Sequence, residues 1–417
     1  MKKLVLVLSV LLLATIQLFA AGAQEKASQE EVTLSVMWFN DANESDVFMD
    51  TIADYLAENP HVKIDMQVVA FSDYEQKLKL MISGGNPPDV ARVTNNHLAA
   101  LISSLEPIEG YVDDVKAVET QFMPASVAFA KDDKGILRAY PTEATANGMI
   151  VNKTAFDNAG IDVAKLSETW TWDQWEEAAR KVIAANDKIK YGLAVDFTPH
   201  RFSTLMFQMG GRFMNSEQSA MQFNNPGTLA AIEMFKRYHD TGLIPKSVWL
   251  GSENPAELFQ AGIVASHIGG SWNINTYNQN VKDFEWIVVH NPKGAIVSSV
   301  PGGKFIASFK DSKNKEEAQR LMAVFSDKTH NEQYCRDTFN LSARVDSEVQ
   351  YPSNSEDFAR FQIDLTKTPA FTANEWKHPV VNKVSTYIRE QVVEVLIGNI
   401  SAQEAVKRVD ERAATFF

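Results

Sequence analysis

Three segments decide the fold: Val32-Thr-Leu-Ser-Val-Met-Trp38, Val62-Lys-Ile-Asp-Met-Gln-Val68 and Asp89-Val-Ala-Arg-Val93. Apolar and polar residues alternate along the first two, the period of a β-strand, and the third is a short apolar run of strand length. Between the first and second, Phe48, Ile52, Tyr55 and Leu56 fall on one helical face, with Ser45 placed to cap that helix and Pro60 to close it. Between the second and third, Tyr74, Leu78, Met81 and Ile82 recur at helical spacing until Gly84-Gly85 stops them. Strand, helix, strand, helix, strand predicts a parallel, doubly wound α/β sheet.

The same style continues outward. Thr154 to Ala159 reads as a short helix ended by Gly160, and Thr171 with Gln174 forms a capping box ahead of Trp175, Ala178, Ala179 and Val182. Helices are also expected over 228–241, 255–261, 315–326 and 384–397. A last capping box, Ser401 with Glu404, precedes an apolar stripe of Ala405, Val409, Ala413 and Phe416. No internal repeat or low-complexity tract interrupts the pattern.

The chain opens with Met1-Lys2-Lys3, runs apolar from Leu4 to Ile16, and reaches Ala21-Gly-Ala23 before Gln24. That is the pattern of a secretory signal peptide, too short to span a bilayer, with cleavage expected near Ala23. The only cysteine is Cys335, so neither a lipoprotein anchor at the cleavage site nor an internal disulfide is expected. The leader takes two lysines and no acid with it, so the formal charge of −13 becomes −15. An acidic chain is a poor partner for nucleic acid. The 394 residues left after position 23 are enough for two lobes with a cleft between them.

A series of blocks, in order, resembles the extracellular sugar-binding proteins of ABC importers, the family that includes maltodextrin-binding proteins. The blocks are Val32 to Asn40, Tyr74 to Val90 with its Pro87-Pro88-Asp89-Val90 turn, Leu105 to Tyr111, Tyr140 to Lys153, and Thr169-Trp-Thr-Trp-Asp173. Phe259-Gln-Ala-Gly262 with Gly269-Gly270-Ser271-Trp272, then Gly302-Gly303, Ser312 to Ala318 and Leu341-Ser-Ala-Arg344, complete it. At Ser342 this chain departs from a proline common in the family.

The resemblance implies two α/β lobes joined by a three-segment hinge, the type II periplasmic binding protein architecture. It places the crossings near 142–148, 290–294 and 326–330. The N-terminal lobe is then 24–142 plus 293–327, and the C-terminal lobe 143–292 plus 328–417. It implies a monomer in the periplasm that captures a mono- or oligosaccharide, or a related polar solute, and hands it to ABC permease subunits, with no cofactor and no bound metal.

A sugar offers hydroxyls at its rim and apolar C–H faces, so its site needs amides and carboxylates beside flat aromatic walls. Trp38 and Asn40 end the first strand, where open α/β sheets place ligand loops. Asn95 follows the third strand, Glu143 and Thr145 lie on the first crossing, and Trp272 follows two glycines that let backbone run close to a ligand. His200, Trp249, Gly303 and Arg344 complete the expected set, with Arg201 and Trp376 as further possibilities. Each has a plainer reading: a core aromatic for Trp38, a surface plug over the core for Trp249 in its loop with Gly251, a polar turn for Asn95, a solvated polar loop for His200, a hinge tie for Glu143, a glycine turn for Gly303, and a surface ion pair for Arg344. Trp170, Trp172, Trp175 and Trp286 read as packing.

No His-Glu-x-x-His, Gly-x-Ser-x-Gly or phosphate-loop motif occurs, and the eight histidines are scattered. A glycosidase needs only two carboxylates without a sequence signature, so a secreted carbohydrate-active enzyme is one alternative. A binding protein that feeds a membrane chemosensor is the other.

Overall fold

The computed structural model describes residues 30–417. The leader and its cleavage site fall outside the described residues. β1 (Val32–Trp38) and β2 (Val62–Val68) begin and end where the alternation does, and β3 (Val90–Thr94) follows one residue later than expected. β1 pairs in parallel with β2 on one side and β3 on the other, the arrangement the two crossover helices dictate.

The sheet is not purely parallel, however. β8 (Pro301–Ser308) runs antiparallel to β3 and then to the long strand β4 (Tyr140–Asn152). The parallel expectation holds only where each strand is followed by its own crossover helix. β8 instead returns from the other lobe, so its direction is set by that return. β4 pairs with β8 through Tyr140–Ala146 and with β6 (Val264–Gly270) and β7 (Trp286–Val289) from Asn147 on. β5 (Tyr191–Val195) lies parallel to β6 at the far edge.

Two hydrophobic cores result. The first gathers Leu34, Val36, Trp38 and Phe48 with Phe305, Ile306, Phe325 and Tyr334. The second gathers Trp170, Trp175, Phe202, Phe235 and Trp249 with Ile388 and Val409. The chain passes between them along β4, near Ala144–Asn147, within the expected first crossing. Val300 still belongs to the second core and Phe305 to the first, so the return runs through the start of β8, not through 290–294. The helix Lys328–Thr338 buries Tyr334 and Cys335 in the first core, so the chain does not leave at 326–330 either. Phe339 and Leu341 touch the second core, Ala343 and Val349 return to the first, and Tyr351 packs on the second, so the crossing lies over 339–351.

Local signals that depend on neighbours along the chain hold best. Thr171 and Gln174 form the capping box of the helix Trp172–Ala185, whose Trp175, Ala178, Ala179 and Val182 are buried. Ser401 caps the helix Ala402–Ala414 by accepting from the Glu404 amide. Ser45 does not cap: the helix Glu44–Thr51 starts ahead of it, and the Ser45 amide donates to Asn40 Oδ1.

Candidate ligand-binding cleft

The carboxyl ends of β1, β3, β5 and β6 all open onto one cleft between the two cores, of about 720 Å³. This is where the crevice of an open α/β sheet receives ligands, and the volume lies in the usual range for small-molecule sites. From the first lobe come Phe39, Asn40 and Asp41 after β1 and Thr94, Asn95 and Asn96 at the end of β3; Thr145, Gly303 and Lys304 come from the crossing strands. From the second come Asp196 and Phe197 after β5, His200 and Arg201, and Trp272 after β6, followed by the face of the helix Asn273–Asn280.

Of the expected residues, the structure brings Asn40, Asn95, Thr145, His200, Trp272 and Gly303 to this cleft. Trp272 is half-buried, and the Arg201 guanidinium lies over its ring at 4.2 Å from the centroid. A Cβ on Gly270 would fall 2.0 Å from the indole, so only glycine lets the ring lie against this strand. Asn40 and Gly303 line the wall with their polar groups already engaged. Asn40 brackets Ser45, donating to its Oγ and accepting from its amide, and the Gly303 amide donates to Asn95 Oδ1 at 3.3 Å.

Four expected residues do not reach the cleft. Trp38 is 1% exposed, packed on Phe48 at 4.6 Å and edge-on to Phe325 and Tyr334. Trp249 ends a four-residue helix, Lys246–Trp249; its indole points into the second core against Phe202 and Phe235 and donates to the Val195 carbonyl at 3.0 Å. Glu143 is fully buried behind the cleft floor, paired with Arg92 at 2.7 Å and Lys304 at 3.1 Å. Arg344 turns its fork onto Asp346 and the Ser326 carbonyl and lies over Phe122. Trp376 sits on the helix Phe371–Lys377, not in a loop, and its indole donates to Ser203 Oγ. His200 and Arg201 likewise stand in a helix, Pro199–Gln208, capped by Thr198.

Glu257 stands at the exposed rim of the cleft, and the cleft's other charges are arranged in closed pairs. On the first wall Asp41 meets Lys304, which also reaches Glu143, and Glu143 holds the buried Arg92. Burial alone would raise the carboxyls of Asp41 and Glu143, but Lys304 and Arg92 carry both below the ordinary range, so both stay ionised. On the opposite wall Asp196 accepts from Arg201 at 3.2 Å and contacts His267 Nε2 at 2.8 Å. Burial opposes its ionisation too, and His267 and Arg201 outweigh it, so its pKa is also lowered. Burial, then the neighbouring Arg201 charge, push His200 down to about 3, leaving it neutral. Its Nδ1 accepts from Arg201 and from the Asn147 amide, which places its proton on Nε2.

Sequence reasoning missed Lys304, Asp196, Phe197 and the amide helix. The last carried a signal in Asn273-Ile-Asn-Thr-Tyr-Asn-Gln-Asn280, where Asn273, Thr276 and Asn280 fall on one helical face. The Asp41–Lys304 pair carried none, because its partners lie far apart in sequence.

With this geometry in view, residues 41–330 match the family of bacterial extracellular solute-binding proteins. The chain belongs to that family. Among its relatives, an arabinooligosaccharide-binding protein of Halalkalibacterium halodurans is 24% identical over 315 residues, covering 70% of this chain and 67% of that one. Among solved structures, an ABC substrate-binding protein of Listeria monocytogenes in complex with cycloalternan superimposes with a TM-score of 0.79 at 22% identity, over 93% of this chain and 99% of that one. An ABC transporter solute-binding protein from Thermotoga lettingae bound with α-D-tagatose gives 0.78 at 22% identity, over 91% and 98%. The two-lobed fold with a mixed central sheet is therefore that of the type II periplasmic binding proteins.

Proposed function

We propose that this protein captures a neutral carbohydrate between its lobes and delivers it to an ABC importer, without catalysing a reaction. The observation that carries the reading is the pairing of charge: the cleft's two cations, Lys304 and Arg201, are each held by carboxylates of their own lobe. A charged ligand would have to break one of these pairs in a partly desolvated site, which is costly. A neutral polyhydroxyl ligand need not, because carboxylates accept from hydroxyls and amides do both. Trp272 supplies the flat apolar wall, with Phe39, Phe71 and Phe197 around it.

The same electrostatics argue against hydrolysis. A glycosidase needs one carboxyl kept protonated near neutral pH beside one ionised. Asp41 and Asp196 stand on opposite lobes and are both held ionised, so neither serves as that acid.

The family match and the leader support delivery to a permease and work in the periplasm after loss of residues 1–23. Closure about the strands near Ala146 and Pro301 encloses the ligand and presents the importer with a loaded shape. A thermal-shift screen of residues 24–417 against neutral sugars, sugar acids, polyols and amino acids tests this. A ligand at 100 times its Kd adds about 2.7 kcal/mol, a clear rise in Tm. Stabilisation by a neutral sugar series is expected; stabilisation only by amino acids or sugar acids would overturn it.

A further inference from the structure

Behind the second wall of the cleft lies a side chain that a ligand cannot touch. His267, on β6 between Ile150 of β4 and Ala194 of β5, is fully buried, yet its Nε2 meets Asp196 Oδ1 at 2.8 Å and its Nδ1 meets the Tyr277 hydroxyl at 2.6 Å. Asp196 is held ionised and can only accept, so Nε2 carries the proton that points at it; in the neutral ring Nδ1 then accepts from Tyr277. Tyr277 is itself fixed in the second core, stacked on Phe259 at 4.8 Å. The other carboxylate oxygen, Oδ2, accepts from Arg201 Nε at 3.2 Å, and Arg201 lies over the Trp272 ring. Tyr277, His267, Asp196 and Arg201 thus form a chain from the core to the aromatic wall.

Two features set His267 apart from core packing. An imidazole is costly to bury beside Phe259 and Tyr277 unless its nitrogens are bonded, and an apolar residue would fill the same place without that cost. The strand also makes room for it: a Cβ on Gly269 would fall 2.7 Å from the imidazole Cε1, just as one on Gly270 would strike Trp272. The adjacent glycines clear one ring on each face of β6. Asp196 and Arg201, by contrast, stand in the loop after β5 and the first turn of the helix Pro199–Gln208, where a carboxylate facing the cleft can turn unless it is tied from behind.

We propose that His267 is a positioning residue for ligand capture: by donating to Asp196 it fixes that carboxylate, and through it Arg201, in the arrangement that receives hydroxyls beside Trp272. The inference rests on the carbohydrate reading above and adds to it a residue that touches no ligand.

The test is calorimetric titration of residues 24–417, wild type and variants, with the compound that raises Tm most in the screen above. A glutamine amide at this position reaches the place of Nε2, whereas an asparagine amide reaches only that of Nδ1. His267→Gln should bind within about threefold of wild type and His267→Asn at least about tenfold more weakly, the loss expected for a hydrogen bond to a charged group. Both variants bury one amide in the same place, so a merely structural role predicts equal effects. In an Asp196→Asn background the difference between them should shrink below about threefold, because His267 acts through that carboxylate. Phe259→Leu, which loosens the same packing and removes no hydrogen bond, should keep the wild-type affinity. Equal affinity of His267→Gln and His267→Asn, or a difference that survives Asp196→Asn, would overturn the proposal and leave the carbohydrate reading standing. If the best ligand were an amino acid or a sugar acid, that reading would fall, and the same two variants titrated with it would still decide the role of His267. Silence from every compound would bring down both.

Discussion

Truncating Trp272 and Trp249 in parallel separates an indole that faces ligand from one that holds up the fold. Trp272 belongs to neither core, rests on Gly270, has Arg201 over its ring, and lines the cleft. Trp272→Ala therefore removes the aromatic wall of the site and little packing. An anchor of this kind is worth at least about 2 kcal/mol of binding, so Kd should rise by about thirtyfold or more. Stability should fall by less than about 1 kcal/mol, as for substitutions away from a core. Trp249 is 1% exposed, and its truncation leaves a cavity among Phe202 and Phe235 and a Val195 carbonyl without its donor. That should cost about 3–5 kcal/mol of unfolding free energy. Urea unfolding and calorimetric titration on the same preparations read both quantities. If Trp272→Ala bound its sugar as tightly as wild type, or Trp249→Ala unfolded at the wild-type urea concentration, the assignment of these two indoles would be wrong.

Three other outcomes are expected. Gly270→Ala should weaken ligand binding by at least about tenfold, because the new methyl displaces the indole, while the Trp272→Ala, Gly270→Ala double variant should bind no worse than Trp272→Ala alone; titration of the three proteins checks this. Glu143→Gln should cost about 3–5 kcal/mol in urea unfolding, since it strips the countercharge from Arg92 and Lys304 in a buried site. Stability should also fall as pH drops below about 6.5. His200 is pushed down to about 3 and His97 and His239 to about 4, each chiefly by burial, so these rings stay neutral in the folded state and take up protons on unfolding. The unfolded state then binds more protons between pH 6.5 and 4, and each ring contributes a loss of up to about 1.4 kcal/mol per pH unit in that window. Urea midpoints at pH 7, 6 and 5 should decline in order; a flat profile would refute it.

How much of this was legible in the sequence follows from where the information lies. β1 and β2 were readable to the residue because each sits near the sheet edge with one face partly solvated, so the alternation is explicit. The Thr171–Gln174 capping box is a contact three residues apart and needs no tertiary knowledge. The strand ends led to Asn40 and Asn95, while Thr145 came from the crossing that the resemblance implies and Trp272 from the glycines before it; all four line the cleft. Sequence reasoning failed at Trp38 because the last residues of β1 are buried on both faces, with helices on either side, and alternation then no longer says which face is which. It failed at Trp249 because a single helical turn beside Gly251 reads as a loop. Glu143 was placed at the right crossing, but its role depends on Arg92 and Lys304, distant in sequence, that turn it inward. The third crossing was misplaced for the same reason: nothing local says that Tyr334 packs against Trp38.

Whether the cleft is built for a neutral sugar is decided by titrating the wild-type protein with the neutral sugar that stabilises it and with the matching uronic acid, each at low and high salt. The neutral sugar should bind with the same Kd at both salt concentrations and the acid at least about tenfold more weakly, the cost of opening the Asp196–Arg201 or Asp41–Lys304 pair. Tighter binding of the acid, weakened by salt, would contradict a neutral-sugar cleft.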